Sequence, residues 1–146
     1  MHKPLVPIDG SGSAVRALAH ALYELQGRTS AEVHLINVQT PQVHTFPGKL
    51  VSPDLIHQEL RREGDGLLEE ADASARTAGI ACVRHVRVGL AADEIAACAA
   101  EQGCDAIVMG TRGRGSVATL LLGSVATRVV HLAQVPVTLV KCVPWG

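Results

Sequence analysis

Aromatic residues are scarce in this sequence. They make up 2% of its 146 residues, with one Trp, one Tyr and one Phe, whereas hydrophobic residues as a whole make up 47%. The core must therefore be built from Val, Leu, Ile and Ala. A chain of this length buries roughly 70% of the surface of its extended form, so we expect a single domain over residues 1–146.

An excess of charge and long hydrophobic runs are also missing. The net charge is −1, so no broad field draws the protein to DNA or to acidic membranes, and we expect neither as a partner. No apolar run approaches the about 18 residues that span a bilayer, and the start, Met1 to Pro4, has no signal-peptide h-region. These absences predict a soluble, cytoplasmic protein.

Metal-binding and redox motifs are absent as well. The cysteines show no C-x-x-C spacing, which favours buried thiols in a reducing compartment over a zinc or redox site. They are Cys82, Cys98, Cys104 and Cys142. None of the seven histidines pairs with another at the i, i+4 spacing of helical metal ligands. We therefore expect no metal site built by the protein alone.

What the sequence does contain is an alternation of strand and helix patterns. The predicted strands are Leu5–Ile8, Val33–Val38, Ala81–Val88, Ala106–Met109 and Val135–Lys141. The predicted helices begin after Ser11 or Ser13, at Asp54 (ending at Ala78), after Gly89, and at about Gly123 (ending at Leu132). This alternation is typical of an α/β fold in which helices cover both faces of a parallel sheet.

Two parts of this pattern are irregular. The Pro-rich connection from Gln39 to Pro53 is long enough to form a flap, and its role stays open. Gly64 and Gly66 interrupt the longest predicted helix, and each is expected to weaken it by about 1 kcal/mol relative to alanine.

The most informative stretch covers residues 105–124. The apolar strand Ala106–Met109 runs directly into Gly110, which is followed by Gly113 and then by Gly123-Ser124 at the start of a predicted helix. Glycines after a strand leave backbone N–H groups accessible to a polyanion, and a helix N-terminus favours negative charge. The stretch therefore predicts a phosphate-binding site.

Two better-known phosphate-binding motifs do not fit this stretch. Gly110, Gly115 and Ser116 follow the order of the Walker A motif, but the lysine that would stand between Gly115 and Ser116 and reach the β and γ phosphates is missing. The Rossmann fingerprint requires G-x-G-x-x-G after the first strand, whereas the order here is G-x-x-G-x-G, late in the chain. The sequence therefore argues against both a P-loop nucleotide hydrolase and a dinucleotide-binding domain.

The spacing G-x2-G-x9-G-[ST], from Gly110 to Ser124, resembles the ATP-binding branch of the universal stress protein family. The segments Leu5–Ser11, Asp105–Gly110 and Val135–Val140 are similar to the first, fourth and last strands of that family. The resemblance implies a doubly wound, five-stranded parallel sheet of strand order 3-2-1-4-5, a three-layer sandwich of the adenine-nucleotide α-hydrolase type. It also implies ATP as the cofactor, with Mg²⁺ or Mn²⁺ held by the phosphates.

In that strand order the winding reverses between strands 1 and 4, where open α/β sheets bind their ligands. Asp9 ends strand 1 and Gly110 ends strand 4, so both are expected at one crevice. The resemblance implies that Asp9 accepts a hydrogen bond from the adenosine moiety, that Val38 contacts adenine through its backbone, and that Val125 offers its N–H group. The full set of predicted cofactor-binding residues is Pro7, Asp9, Val38, Met109, Gly110, Arg112, Gly113, Gly123, Ser124 and Val125.

Structural roles compete with several of these assignments. Asp9 can be a turn or cap aspartate, and Ser124 can be an N-cap, a role that shares the geometry of phosphate binding. Arg112, like Arg114, can be a solvated loop arginine, and Met109 can pack in the core. The glycines can simply be turn glycines.

The leading functional prediction is an ATP-binding regulator or sensor in the stress response, with no catalytic residue. The alternatives are a slow ATPase, for which the sequence shows no plausible carboxylate pair or base, and a partner-binding domain without nucleotide. The last predicted strand, Val135–Lys141, is apolar at nearly every position. Pairing of this edge between two copies would cover it, which predicts a homodimer.

Overall fold

The computed structural model describes residues 1–41, 52–112 and 122–141. Strands and helices alternate along them: β1 (Pro4–Pro7), α1 (Gly12–Leu25), β2 (Glu32–Gln39), α2 (Pro53–Thr77), β3 (Ala81–Val88), α3 (Ala91–Glu101), β4 (Ala106–Gly110), α4 (Ser124–Leu132) and β5 (Val137–Val140). The predicted order of elements is confirmed. The last strand is shorter than predicted at both ends, and it begins directly after Pro136, which has no N–H to donate to a ladder.

All five strands form one parallel sheet in the order β3-β2-β1-β4-β5. This confirms the doubly wound α/β fold and the strand order 3-2-1-4-5. The strand β1 lies in the middle of the sheet, and the winding reverses between β1 and β4. The sheet edges are β3 and β5.

Each face of the sheet carries its own hydrophobic core. Successive β1 side chains point to opposite faces, so Val6 packs with residues of α1 and α2, whereas Leu5 packs with residues of α3 and α4. Both side chains are fully buried. The described cores are aliphatic, as the composition predicted, and Tyr23 is 77% exposed. The largest contributors include Leu18, Leu25, Leu35 and Leu68 on one face and Ile36, Ile95, Ile107 and Val129 on the other.

The glycine at position 64 has a packing role that the sequence did not indicate. A Cβ atom on Gly64 would lie 2.7 Å from Asn37 Oδ1 and 2.7 Å from Val86 Cγ1. The helix α2 therefore passes β2 and β3 at a distance that only glycine allows. A Cβ on Gly66, in contrast, would meet open space. Packing therefore does not require glycine at position 66, and the expected loss of helix stability is its only effect.

The described cysteines are free thiols, and Cys98 and Cys104 are buried while Cys82 is partly exposed. Burial, reinforced by Asp72, raises the pKa of the Cys82 thiol to about 12. Burial likewise raises the pKa of Cys104 to about 11. Since the thiolate is the reactive form, these groups are inert at neutral pH.

Two features are absent from the described residues. Over the ranges 1–41, 52–112 and 122–141, no three His, Cys, Asp or Glu side chains are grouped so as to hold a metal ion. Within those same ranges, no helix has both the length and the apolar character needed to cross a bilayer.

Candidate functional site

The crevice at the winding reversal begins where β1 stops pairing with β4. The recorded partners are Pro4 with Ala106 and Leu5 with Ile107, although β1 continues to Pro7. Main-chain groups alternate between the two sides of a strand. Because the Ile8 N–H donates to the Ile36 carbonyl of β2, the nitrogen of Pro7 faces β4 and has no hydrogen to donate. Pro7 thus ends the regular pairing of β1 with β4.

The turn after β1 is built by Asp9. The backbone N–H of Ser11 donates to Asp9 Oδ1 at 2.9 Å, and Gly10 between them has φ of +84°, a conformation that glycine adopts without strain. Ser11, and not Ser13, then caps α1, since its Oγ accepts from the Ala14 N–H at 3.2 Å. A carboxylate offers about four lone-pair sites, so this turn role is compatible with a contact to a ligand.

The main chain of Val38 faces the end of β1. The carbonyl of Ile36 accepts from the Ile8 N–H at 2.8 Å, whereas the carbonyl of Gln39 accepts from the Gly89 N–H, next to β3, at 2.9 Å. Val38 has the same parity as Ile36, so its N–H and C=O point toward β1, beyond the last paired residue of that strand. The predicted backbone contact to adenine requires this orientation.

Gly110 is a glycine because of α1. A Cβ atom at this position would lie 1.7 Å from Ser13 Oγ and 3.1 Å from the Ser13 carbonyl oxygen. The sequence-based reason, room for a phosphate, is therefore not the first cause of this glycine. The preceding side chain, Met109, is 6% exposed and belongs to the core on the α3 and α4 side. Only main-chain atoms of Met109 and Gly110 can take part in a site.

A hydrogen bond joins the end of β4 to the start of α4. The Thr111 N–H donates to the Val140 carbonyl of β5 at 3.1 Å, and the Thr111 carbonyl accepts from the Gly123 N–H at 2.6 Å. The start of α4 is thereby held against the end of β4, and the two halves of the predicted motif meet. Gly113 lies outside the described residues. Arg112 is partly buried, and no carboxylate within the described part of the chain forms an ion pair with it.

The N-terminus of α4 has no side-chain cap. Gly123 is the N-cap residue, so the alternative of Ser124 as the cap is wrong. The carbonyl of Gly123 accepts from both the N–H and the Oγ1 of Thr127. Ser124 is exposed and Val125 is 38% exposed. N–H groups of an uncapped first turn, together with the helix dipole, favour an anion.

The family model of the universal stress proteins, described as "Universal stress protein family", matches residues 1–141. The chain belongs to this family. It is 36% identical over 141 residues to the universal stress protein MJ0531 of Methanocaldococcus jannaschii, which covers 95% of this chain and 81% of that protein. The family resemblance seen in the sequence is confirmed.

Solved structures agree with this assignment. The structure of the hypothetical protein MJ0577, a universal stress protein of Methanocaldococcus jannaschii, matches with a TM-score of 0.84 and 28% identity, over 97% of this chain and 96% of that one. A universal stress protein in complex with cAMP matches with a TM-score of 0.70 and 26% identity, over 95% and 96% of the two chains.

The sequence did not indicate the roles of two buried polar residues near the crevice. They are Ser13 and Asn37, each less than a tenth exposed. Asn37 had a detectable signal, because it is a polar residue within the apolar run of a strand. The role of Ser13 had none, because it depends on contact with a residue far away in the sequence.

Proposed function

We propose that this universal stress protein binds an adenine nucleotide, ATP foremost, and acts as a nucleotide-dependent regulator in the stress response. The observation that carries the proposal is the meeting of three features at the carboxyl end of the sheet, beside β1. These are the end of β1 beyond its recorded pairing with β4, the main chain of Val38 that faces it, and the uncapped N-terminus of α4 tied to β4 through Thr111 and Gly123. The cAMP complex of a structural relative supports an adenine ligand for this fold.

The base and ribose are assigned to the β1 and β2 side of the crevice. The Val38 N–H and C=O offer a donor and an acceptor side by side, which is the complement of the N1 and N6 edge of adenine. Asp9 offers a carboxylate to the adenosine moiety from the turn that follows β1, and Pro7 lines the gap between the strands.

The phosphates are assigned to the β4 and α4 side. The main-chain N–H of Gly110 points to the β1 side of β4, because the N–H of its neighbour Thr111 donates to β5. The N–H groups of Ser124 and Val125 lie in the uncapped first turn of α4, and a triphosphate is the polyanion that such groups favour. Gly123 takes part as the N-cap residue, since its own N–H already donates to the Thr111 carbonyl. Arg112 adds a charge-assisted contact worth about 1.5–3 kcal/mol. Gly113 remains part of the proposed set on the basis of the motif alone. Mg²⁺ or Mn²⁺ would be held by the phosphates, since divalent cations commonly bind with them.

A homodimer through β5 completes the proposal. This strand is a sheet edge, and each of its residues is only partly buried. A second copy pairing with it would satisfy the open main-chain groups. We place the protein in the cytoplasm, and the free thiols of Cys82, Cys98 and Cys104 support a reducing compartment.

The test of nucleotide binding has two steps. Purified protein is denatured and the released small molecules are chromatographed, and the nucleotide-free protein is then titrated with ATP, ADP, AMP and cAMP by calorimetry. We expect a co-purifying adenine nucleotide or saturable binding of ATP. If saturating ATP gives neither heat of binding nor a shift in melting temperature, the proposed function is wrong.

A further inference from the structure

Asn37 carries a buried amide near the end of β2 and is 2% exposed. Its Nδ2 donates to the carbonyl of Ile8 at 2.7 Å, and its Oδ1 accepts from Gln39 Nε2 at 2.8 Å. Ile8 comes directly before Asp9, and Asn37 comes directly before Val38. The amide therefore joins the ends of the two strands that carry the proposed adenosine contacts.

This side chain replaces a main-chain hydrogen bond. In a parallel ladder, one residue donates its N–H to a neighbouring strand and accepts at its C=O from the residue two positions further along that strand. Ile8 donates to the Ile36 carbonyl, so a regular ladder would continue with the Val38 N–H donating to the Ile8 carbonyl. That carbonyl instead accepts from Asn37 Nδ2. No hydrogen bond among the described residues joins the Val38 N–H to it.

We propose that Asn37 is a positioning residue that keeps the Val38 N–H out of the β1–β2 ladder and thereby sets the preference for adenine. The inference rests on the nucleotide site proposed above. With the Ile8 carbonyl held by Asn37, both Val38 main-chain groups remain available to the base. Guanine presents a carbonyl and an N–H where adenine presents an amine and a ring nitrogen, so the same pair of groups opposes guanine.

The surroundings of Asn37 fix the orientation of its amide. The Ile8 carbonyl can only accept, which assigns the donor nitrogen of Asn37 to that side and leaves its oxygen to accept from Gln39 Nε2. On the α2 side, Gly64 approaches so closely that a Cβ would lie 2.7 Å from Asn37 Oδ1. The amide is therefore held by one hydrogen bond at each end and by a helix backbone alongside.

The test compares Asn37→Leu with the unchanged protein. Leucine has a similar shape and no donor, so the Ile8 carbonyl is left to the Val38 N–H. In nucleotide-free protein, we expect amide exchange at Val38 to slow by about tenfold or more, as measured by NMR, because the N–H gains a partner. We expect the Kd for ATP to rise about tenfold and the preference for ATP over GTP to shrink, with binding of inorganic tripolyphosphate within about twofold.

Two further variants make the result decisive. Gln39→Leu is the matched control, because it removes the donor to Oδ1 but leaves the bond to Ile8, and it should keep both Val38 exchange and the ATP:GTP ratio. Gly64→Ala displaces the amide from the opposite side and should reproduce the effects of Asn37→Leu. Gly64→Ala therefore tests the proposal if Asn37→Leu does not fold.

The outcomes separate this inference from the proposed function. If the unchanged protein binds ATP while both Asn37→Leu and Gly64→Ala leave Val38 exchange and the ATP:GTP ratio unaltered, the inference alone is overturned. An equal loss of ATP, GTP and tripolyphosphate binding would also overturn it, since that pattern indicates a general structural defect. If the unchanged protein binds no nucleotide at all, the proposed function is overturned, and the adenine role of Asn37 with it.

Discussion

Ser13 occupies the space that a side chain at position 110 would need: a Cβ on Gly110 would lie 1.7 Å from its Oγ. The contact joins the first turn of α1 to the end of β4, the two elements on either side of the crevice. The Ser13 Oγ is itself buried and has no hydrogen-bond partner in the described part of the chain. Packing, rather than polarity, therefore defines the role of this serine.

This contact predicts that Gly110→Ala reduces the stability of the protein. Because the alanine methyl group collides with Ser13, overpacking should lower the free energy of unfolding by about 1–3 kcal/mol. Ser13→Ala alone should be neutral or slightly stabilising, since it removes a buried hydroxyl without a partner. Urea unfolding of both single variants measures these changes.

The double variant Ser13→Gly/Gly110→Ala provides the control. It removes both the Oγ and the Cβ of residue 13, so the new methyl group at position 110 should destabilise the protein less than it does beside Ser13. The difference is measured as a coupling energy between the two sites. Additive changes would contradict the packing role. If Gly110→Ala keeps its stability but loses ATP binding, the glycine is needed to make room for a phosphate instead.

The proposed phosphate contact at α4 predicts a specific effect of Ser124→Pro. Ser124 is the first residue of α4, where proline is well tolerated, and Gly123 already has φ −67° and ψ 162°, a conformation allowed before proline. The variant removes one N–H and should leave the melting temperature nearly unchanged. Because that N–H is proposed to bind a phosphate, the Kd for ATP should rise about tenfold, as measured by calorimetry.

Ser124→Ala is the matched control, because it removes the hydroxyl and keeps the N–H. It should lose less affinity than Ser124→Pro. Equal ATP affinity of the proline variant and the unchanged protein would exclude the Ser124 N–H from the site.

A pair of histidines predicts a loss of stability in mild acid. His34 Nδ1 lies 2.8 Å from His85 Nε2, and His34 Nε2 lies 2.7 Å from Glu32 Oε1. Burial, followed by the charges of His34 and Arg87, holds the pKa of His85 below its ordinary value of 6.5. The hydrogen bond from His34 is the main cause that lowers the pKa of Glu32.

The sign follows from proton linkage. Folded His85 takes up its proton at a lower pH than the unfolded chain does, so the unfolded state binds more protons just below 6.5, and stability falls as the pH drops through that region. Glu32 adds a further loss at lower pH, as its own lowered pKa is approached. Urea unfolding between about pH 8 and pH 5 measures the trend. In His85→Gln the fall near pH 6 should be smaller, and an unchanged profile would rule out this histidine as the cause.

The proposed dimer predicts a monomeric Val137→Pro variant. The Ile107 N–H donates to the Pro136 carbonyl, and the Thr111 N–H donates to the Val140 carbonyl, so even-numbered residues of this segment face β4. The N–H of Val137 points out of the sheet, at the first position of β5, where proline is tolerated. Light scattering after size exclusion should give a dimer for the unchanged protein and for Val137→Ala, and a monomer for Val137→Pro.

Much of the fold could be predicted from local signals. Apolar runs separated by capped helices gave the alternation of elements, and the segment from Ala106 into Gly110 identified the end of β4. The strand order came from the family resemblance, because pairing of β1 with β4 is not encoded near either strand. Side-chain contacts between strands could not be predicted either. The contact of His34 with His85, for example, depends on the register of β2 and β3.

Glycines illustrate the same limit at the site. From the sequence alone, Gly64 is interpreted as a residue that weakens its helix, and Gly110 as a residue that makes room for a phosphate. The structure adds that Gly64 lies against Asn37 and Gly110 against Ser13. A glycine in a sequence signals that something comes close, but the approaching group belongs to another part of the chain. Only the folded structure identifies it.

The hydrogen bond between Thr111 and Gly123 has a consequence for divergence within the family. Since this bond brings the two ends of the intervening segment together, we expect insertions between them to leave β4 and the start of α4 in place. Relatives of this chain can therefore differ in the length of this segment while the described sheet and helices keep their arrangement.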